Sequence, residues 1–454
     1  MTHLRALPPI DTMQHHTMRR SIYIYIIITL LCLTGLQAQP TITSDIPSVK
    51  GYQIKVKDID FNKRFHVKDV HPDKLYLFGH YGSDVYLLDS AIVRKSTAVF
   101  KSKKTIPCGV YTITSNNNVG LREIILNHDN KITYNLADDR VEGSEENQLL
   151  EQFLIKTRTG NILEVCRELN EAMPSSFVSK YIMSIYGVSH LDKIPYTDRM
   201  MMCLDATDLS DPRILFSHPK ALNLLNTQNY EQEFDNTDSV IHYIDRVLNR
   251  PMCPPVRDYI IRTLFQNFDI HNPDYDPALI YLYDKFDKSW IEEGREGRYK
   301  RKIDNLRKIV PGAQIPELIS HDKNGKAHST NEIKNKYTVL WFWDPDCDHC
   351  QEMTPVLHKM YQEHADAWDF EVFAVEVNDD HDRWVAFSNQ HQLWDWTNLS
   401  TSMGDQNLDF IEYFDIMTTP VVFLIDNSNE HTIIARQITL DELEHFFEKN
   451  QEKK

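Results

Sequence analysis

The chain has 454 residues, with 49 Lys and Arg against 66 Asp and Glu, a formal net charge of −17. That length corresponds to about three domains, and the acidic balance argues against nucleic acid as the main partner and offers no polybasic patch for anionic lipid. A hydrophobic fraction of 41% excludes global disorder; a single long apolar run excludes a multi-span membrane protein, and seven cysteines are too few for a disulfide-rich scaffold.

The N-terminus has the layout of an export signal. Arg19 and Arg20 precede an almost purely apolar run from Ile22 to Leu33, and Gly35-Leu36-Gln37-Ala38 follows. A charged start, an apolar stretch of secretory length and a small residue at the cut site predict cleavage after Ala38. The run is short for a transmembrane helix, so an uncleaved anchor is the second reading. Met18 stands directly before the arginines and is a candidate true start. Cys32 fits lipidation poorly, because Leu31 precedes it. Removing residues 1–38 takes away three basic and one acidic side chain and leaves six cysteines. Export to the periplasm or cell envelope would expose those cysteines to an oxidising environment.

Residues 39–145 read as short strands. Tyr52, Ile54 and Val56 alternate with polar neighbours. Leu75–Phe78, Val85–Leu88, Tyr111–Ile113, Ile124–Leu126 and Ile132–Tyr134 follow, separated by turn signals such as Tyr81-Gly82-Ser83 and His128-Asp129-Asn130. Short strands at this spacing predict a small antiparallel β-sandwich. The texture changes at Gly143-Ser144-Glu145-Glu146-Asn147. Between 161 and 290 there is one glycine, Gly187, too few for the turns of a sandwich. Residues 146–310 are therefore expected to form an all-α domain punctuated by proline, with helices near 176–186, 240–248, 259–268, 277–287 and 298–309. The remainder, 311–454, alternates strand and helix. Thr338–Trp343, Phe370–Val377 and Pro420–Ile425 are apolar runs suited to strands buried on both faces, the pattern of an α/β fold.

The chemistry is concentrated at Asp346-Cys347-Asp348-His349-Cys350, directly after the first buried strand and at the start of a helix. A helix N-terminus carries partial positive charge and free N–H groups, which stabilise a thiolate. A spacing of three puts both sulfurs on one helix face. Cys347, at the exposed tip, is expected to attack a substrate disulfide, and Cys350, deeper, to resolve the mixed disulfide. Protonated His349 would favour the thiolate, whereas Asp344, Asp346 and Asp348 would oppose it. A lone C-x-x-C also suits a structural disulfide, or a metal held with His349 or His381. No second C-x-x-C accompanies it, which argues against a metal, and no organic cofactor is expected because the dithiol itself carries the two electrons. Cys108, Cys166, Cys203 and Cys253 read as buried small hydrophobes. Met200–Met202 reads as helical core, and Trp384, Trp394 and Trp396 as scaffold of an inserted element.

Three features specify the motif further: the preceding strand, Pro355 inside the helix five residues after Cys350, and Thr418-Thr419-Pro420 before the last buried strand. With these the C-terminal part resembles the thioredoxin superfamily. The long gap from Cys350 to Pro420, the lead-in Pro311–Leu318 and the hairpin Asp322–Lys326 resemble its TlpA-like and ResA-like branch of exported thiol-disulfide oxidoreductases. The resemblance implies a cis peptide at Thr419-Pro420 that helps dock substrate. It also implies protein thiol or disulfide substrates and a membrane electron donor of the DsbD type, acting in envelope redox homeostasis. The first two segments resemble the β and helical domains of unknown function that precede the thioredoxin module in a wider envelope family. The chain departs from these relatives in three places. Asp346 stands where thioredoxin has Trp, Trp341 where it has a buried acid, and Met353 where ResA-like members have Glu, with Glu352 displaced by one. The internal proton acceptor is thus missing or supplied differently. The rival expectation is an envelope scaffold whose thioredoxin fold carries a passive disulfide.

Overall fold

The computed structural model describes residues 45–61, 72–115, 120–225, 234, 236–271, 275–286, 288–291 and 294–451. The export signal read in residues 1–38 lies outside them. The chain divides into two compact units, residues 1–233 with 243–264, and residues 234–242 with 265–454. All seven tryptophans belong to the second. No helix among the described residues is long and apolar enough to cross a membrane.

The first unit begins with eight strands: β1 Ser48–Lys57, β2 Lys74–Tyr81, β3 Asp84–Ile92, β4 Ala98–Pro107, β5 Gly109–Ser115, β6 Gly120–Leu126, β7 Lys131–Asn135 and β8 Arg140–Glu142. They form two four-stranded sheets, β4-β1-β7-β8 and β3-β2-β5-β6. Alternate residues of both sheets, among them Ile54, Val56, Phe100, Tyr111, Ile113 and Tyr134, meet in one apolar core. This is the expected sandwich with one difference: β1 and β7 pair in parallel. The link at 127–130 carries the chain from one sheet to the other rather than folding it back along β6, so β7 arrives beside β1 running the same way.

Helices α1 Glu145–Lys156, α2 Ile162–Ala172 and α3 Phe177–Ile185 follow. Their apolar faces cover the outer side of the second sheet through Val110 and Ile125. Together with the 212–216 segment, where Phe216 closes on Gly109, they leave β5 buried along its whole length. The Ser144 side chain caps α1 by accepting the Asn147 N–H. The Asn147 amide, fully buried, bonds both the N–H and the C=O of Ile125 at 2.8 Å. Helices α4 Tyr196–Asp205, α5 Lys220–Leu225, α6 Thr237–Leu248, α7 Pro254–His271, α8 Asp276–Lys285 and α9 Glu296–Ile309 complete the helical stretch. At the β2–β3 turn Gly82 has φ +61, and a Cβ there would collide with the Tyr259 ring at 1.9 Å. The Tyr259 hydroxyl in turn accepts the Ser83 N–H at 3.0 Å. A residue with a side chain would lose this close approach.

The C-terminal part holds a seven-stranded sheet, ordered β10-β9-β13-β12-β11-β14-β15. Its strands are β9 Ile319–His321, β10 Ala327–Ser329, β11 Tyr337–Trp343, β12 Phe370–Glu376, β13 Thr397–Ser400, β14 Val421–Asp426 and β15 Thr432–Arg436. The helices are α10 Asp348–Trp368, α11 His381–His391, α12 Phe410–Tyr413 and α13 Leu440–Gln451. Every residue of β11 is buried. It lies parallel to β12 and antiparallel to β14, and each of its faces meets a separate set of aromatic and aliphatic side chains. This α/β arrangement, after the sandwich and the helices, matches the fold class expected from the sequence.

Candidate functional site

Strand β11 ends at Trp343, and the next residues make the turn that starts α10. Asp344 Oδ1 accepts the Asp346 N–H at 2.8 Å, and the Asp344 carbonyl accepts the Cys347 N–H at 3.2 Å. The turn leaves Cys347 as the N-cap of α10, its sulfur accepting the Cys350 N–H at 3.4 Å. The nucleophile candidate thus takes over the capping job usually done by an oxygen. Cys350, one turn along, is fully buried in the core beneath the helix, whereas Cys347 is half-buried. Both are free thiols. Thr419 approaches from the loop before β14: its carbonyl lies 3.1 Å from the Cys347 sulfur, and the Thr419–Pro420 peptide is cis. Pro355 lies inside α10. The fold therefore brings Cys347, Cys350, Thr419 and Pro420 together.

Burial pushes the Cys347 thiol up, and its donation to the Thr419 carbonyl favours the protonated form. The hydrogen bonds that meet the sulfur from Cys350, the Thr419 side chain and the N–H groups of Cys350 and His349 outweigh both, and the pKa falls below the ordinary thiol value. Burial dominates at Cys350 and pushes its thiol up to about 12. The pair is therefore split, with one thiol lowered and the other raised. His349 and Asp348 are both exposed. Asp346 forms an ion pair with Arg383 of α11, a residue that sequence reading missed. Nothing in the local sequence signals it, because the partners sit on different elements.

The departures from the thioredoxin pattern have a structural explanation. Trp341 is fully buried and its indole N–H donates to the Thr354 hydroxyl at 3.1 Å, a contact that holds β11 against α10 and leaves no acid at that place. Met353 packs against the core, and Glu352 faces solvent.

Elsewhere, Cys108, Cys166 and Cys203 are buried free thiols pushed up by burial to about 11, 12 and 11, and the half-buried Cys253 is raised by the same cause. Met200 and Met201 are core, whereas Met202 is exposed. Trp384 is buried and donates to Asn398, and Trp396 packs on His358. The Trp394 ring lies 3.8 Å from the Lys323 ammonium. Among the described residues no group of three or more His, Cys, Asp or Glu side chains gathers as a metal site would require.

Residues 335–431 match a family model described as thioredoxin-like. Solved structures are similar to the same part of the chain. A domain of a possible thiol-disulfide isomerase from Cytophaga hutchinsonii is 30% identical, with 32% of this chain and 98% of that one covered and a TM-score of 0.29. The thioredoxin domain of a thiol-disulfide oxidoreductase from Bacteroides vulgatus is 26% identical over 31% and 98%, TM-score 0.28. A thiol:disulfide interchange protein from Bacteroides sp. is 25% identical over 31% and 89%, TM-score 0.27. No curated protein matches the chain.

Proposed function

Since the C-terminal module of this chain belongs to the thioredoxin-like family, we propose that the protein is a thiol–disulfide oxidoreductase acting on protein cysteines through Cys347 and Cys350. The observation that carries this is the split between the two sulfurs: one half-exposed at a helix terminus with a lowered pKa, the other buried and protonated.

The Cys347 thiolate attacks one sulfur of a substrate disulfide. A Cys347–substrate disulfide forms, the substrate S–S bond breaks, and the first substrate thiolate leaves and takes a proton. The Cys350 thiol then gives up its proton and attacks the Cys347 sulfur. The second substrate thiol departs and the Cys347–Cys350 disulfide remains. Two electrons pass to the substrate, and no organic cofactor enters the step. Thr419, against the nucleophile, lies where an incoming chain would dock. The charged and apolar runs of residues 19–38 support export, so in this reading the substrates are envelope proteins and the dithiol is regenerated by a membrane donor of the DsbD type.

The reduction potential of the pair in glutathione buffers tests the reading. A value near about −270 mV is expected for a reductase. A value near about −120 mV would keep the exchange chemistry and reverse its direction. A disulfide that resists reduction throughout the range would leave a scaffold instead. Cys350→Ala should accumulate the mixed disulfide with substrate, visible as a thiol-labile adduct on non-reducing gels, and Cys347→Ala should form none.

A further inference from the structure

The helix inserted between β12 and β13 carries a cation to the collar of carboxylates around the nucleophile. Arg383, in the first turn of α11, pairs through Nη1 with Asp346 Oδ1, and its Nε lies 3.6 Å from Asp380 Oδ2. Asp344 faces the same cation and also Asp380, and is bonded by the Asn378 side chain. The groups around Cys347 therefore come from four places. Asp344 and Asp346 lie in the turn before α10, and Asp348, His349 and Cys350 in its first turn. Asp380 and Arg383 stand at the start of α11, and Thr419 in the loop before β14. Arg383 is a permanent cation among three carboxylates, Asp344, Asp346 and Asp380. A carboxylate adjacent in sequence to the nucleophile opposes thiolate formation, and pairing it with a guanidinium removes most of that opposition.

We propose that Arg383 is a positioning residue for the exchange reaction. By holding the Asp346 carboxylate it neutralises the charge next to Cys347 and fixes the turn that sets the sulfur at the helix terminus. Asp346 is then tied at both ends, its N–H on Asp344 and its carboxylate on Arg383. The inference rests on Cys347 being the nucleophile.

The test is a titration of thiolate absorbance, with the pH profile of alkylation, on the reduced mature chain. The other described cysteines are pushed upward, so the low-pH thiolate reports Cys347. At low salt Arg383→Gln should raise the midpoint by about half a unit, an about threefold loss of alkylation rate below it. Arg383→Glu should cost about tenfold. Arg383→Lys should recover much of the loss, and Asp346→Asn in the Arg383→Gln background should recover it as well. The difference between wild type and Arg383→Gln should shrink in about 0.5 M salt. Recovery by the double variant and the salt dependence are effects that lost packing would not produce. Arg383 is 61% exposed, so the substitutions leave the core intact. Unchanged midpoints for both Arg383→Gln and Arg383→Glu would overturn the proposal and leave the assignment of Cys347 standing. An ordinary thiol midpoint in the wild type would sink that assignment, and this inference with it.

Discussion

The Cys347 sulfur caps a helix and has a lowered pKa, and the two properties share one cause. The N–H groups that a helix leaves unsatisfied at its start converge on the sulfur and prefer it charged. Alkylation of the reduced protein should therefore proceed at Cys347 with a midpoint below that of an ordinary thiol, and leave Cys350 unmodified below its value of about 12. Peptide mapping after iodoacetamide labelling checks this; equal labelling of both sulfurs would contradict it. At this scale the sequence is informative about whatever lies close along the chain. The cysteine pair, Pro355 and Thr419-Pro420 are legible from strand, spacing and breaker residues. Arg383 is not, because its partner Asp346 sits on another element and an exposed arginine in a polar helix looks like any solvated cation. The hydrogen bonds that lower the thiol were equally hidden: the sequence shows three aspartates and a histidine beside Cys347 but not the groups that meet the sulfur.

At the scale of elements, one side chain joins helix to sheet. Asn147 uses its amide as a peptide group would, pairing with both polar atoms of Ile125 on edge strand β6. Asn147→Ala would strand a buried N–H and a buried C=O, a loss of about 2–4 kcal/mol. Asn147→Asp keeps an acceptor for the N–H but faces the carbonyl with a carboxylate, so it should not rescue the loss. Urea denaturation followed by far-UV circular dichroism measures both. The segment Gly143–Asn147 stands out in the sequence as the point where texture changes, and the structure shows what it does: it ends the sandwich, caps α1 and locks α1 to β6. Strand β4 was not anticipated, because Lys101, Ser102, Lys103 and Lys104 break its alternation on an open face. The parallel pairing of β1 with β7 was beyond reach for another reason: a two-residue period shows which face is buried and carries no strand direction.

Across the molecule the two units differ in how they should meet acid. In the first, the rings of His80 and His218 lie 4.7 Å apart, and the Nδ1 atom of each is buried without a partner. His80 Nε2 bonds the Thr112 hydroxyl at 3.2 Å, and His218 meets the Gly82 backbone. Burial drives both pKa values down, His218 to about 4, and the neighbouring His218 ring adds to the lowering at His80. Unfolded, both titrate near about 6.5. Below that pH the unfolded chain binds more protons than the folded one, so stability falls as pH falls from about 6.5 towards 4 and then levels for His218. That one residue accounts for about 3 kcal/mol. Replacing His218 by Asn should flatten this part of the pH profile, and denaturation midpoints at pH 7 and pH 4.5 would show whether it does.

The tryptophans turn this into an optical experiment. All seven lie in the second unit, and the sandwich core is built from tyrosine, phenylalanine and aliphatic side chains. Light absorbed at 295 nm is therefore emitted by the second unit alone, while the first stays dark at that wavelength. During acidification, loss of β-type ellipticity with unchanged indole emission would time the first unit's unfolding separately, without a label or a truncated chain. The same silence removes the first unit's contribution when indole emission is used to follow oxidation, to which Trp343 responds because it shares its core with Cys347 and Cys350.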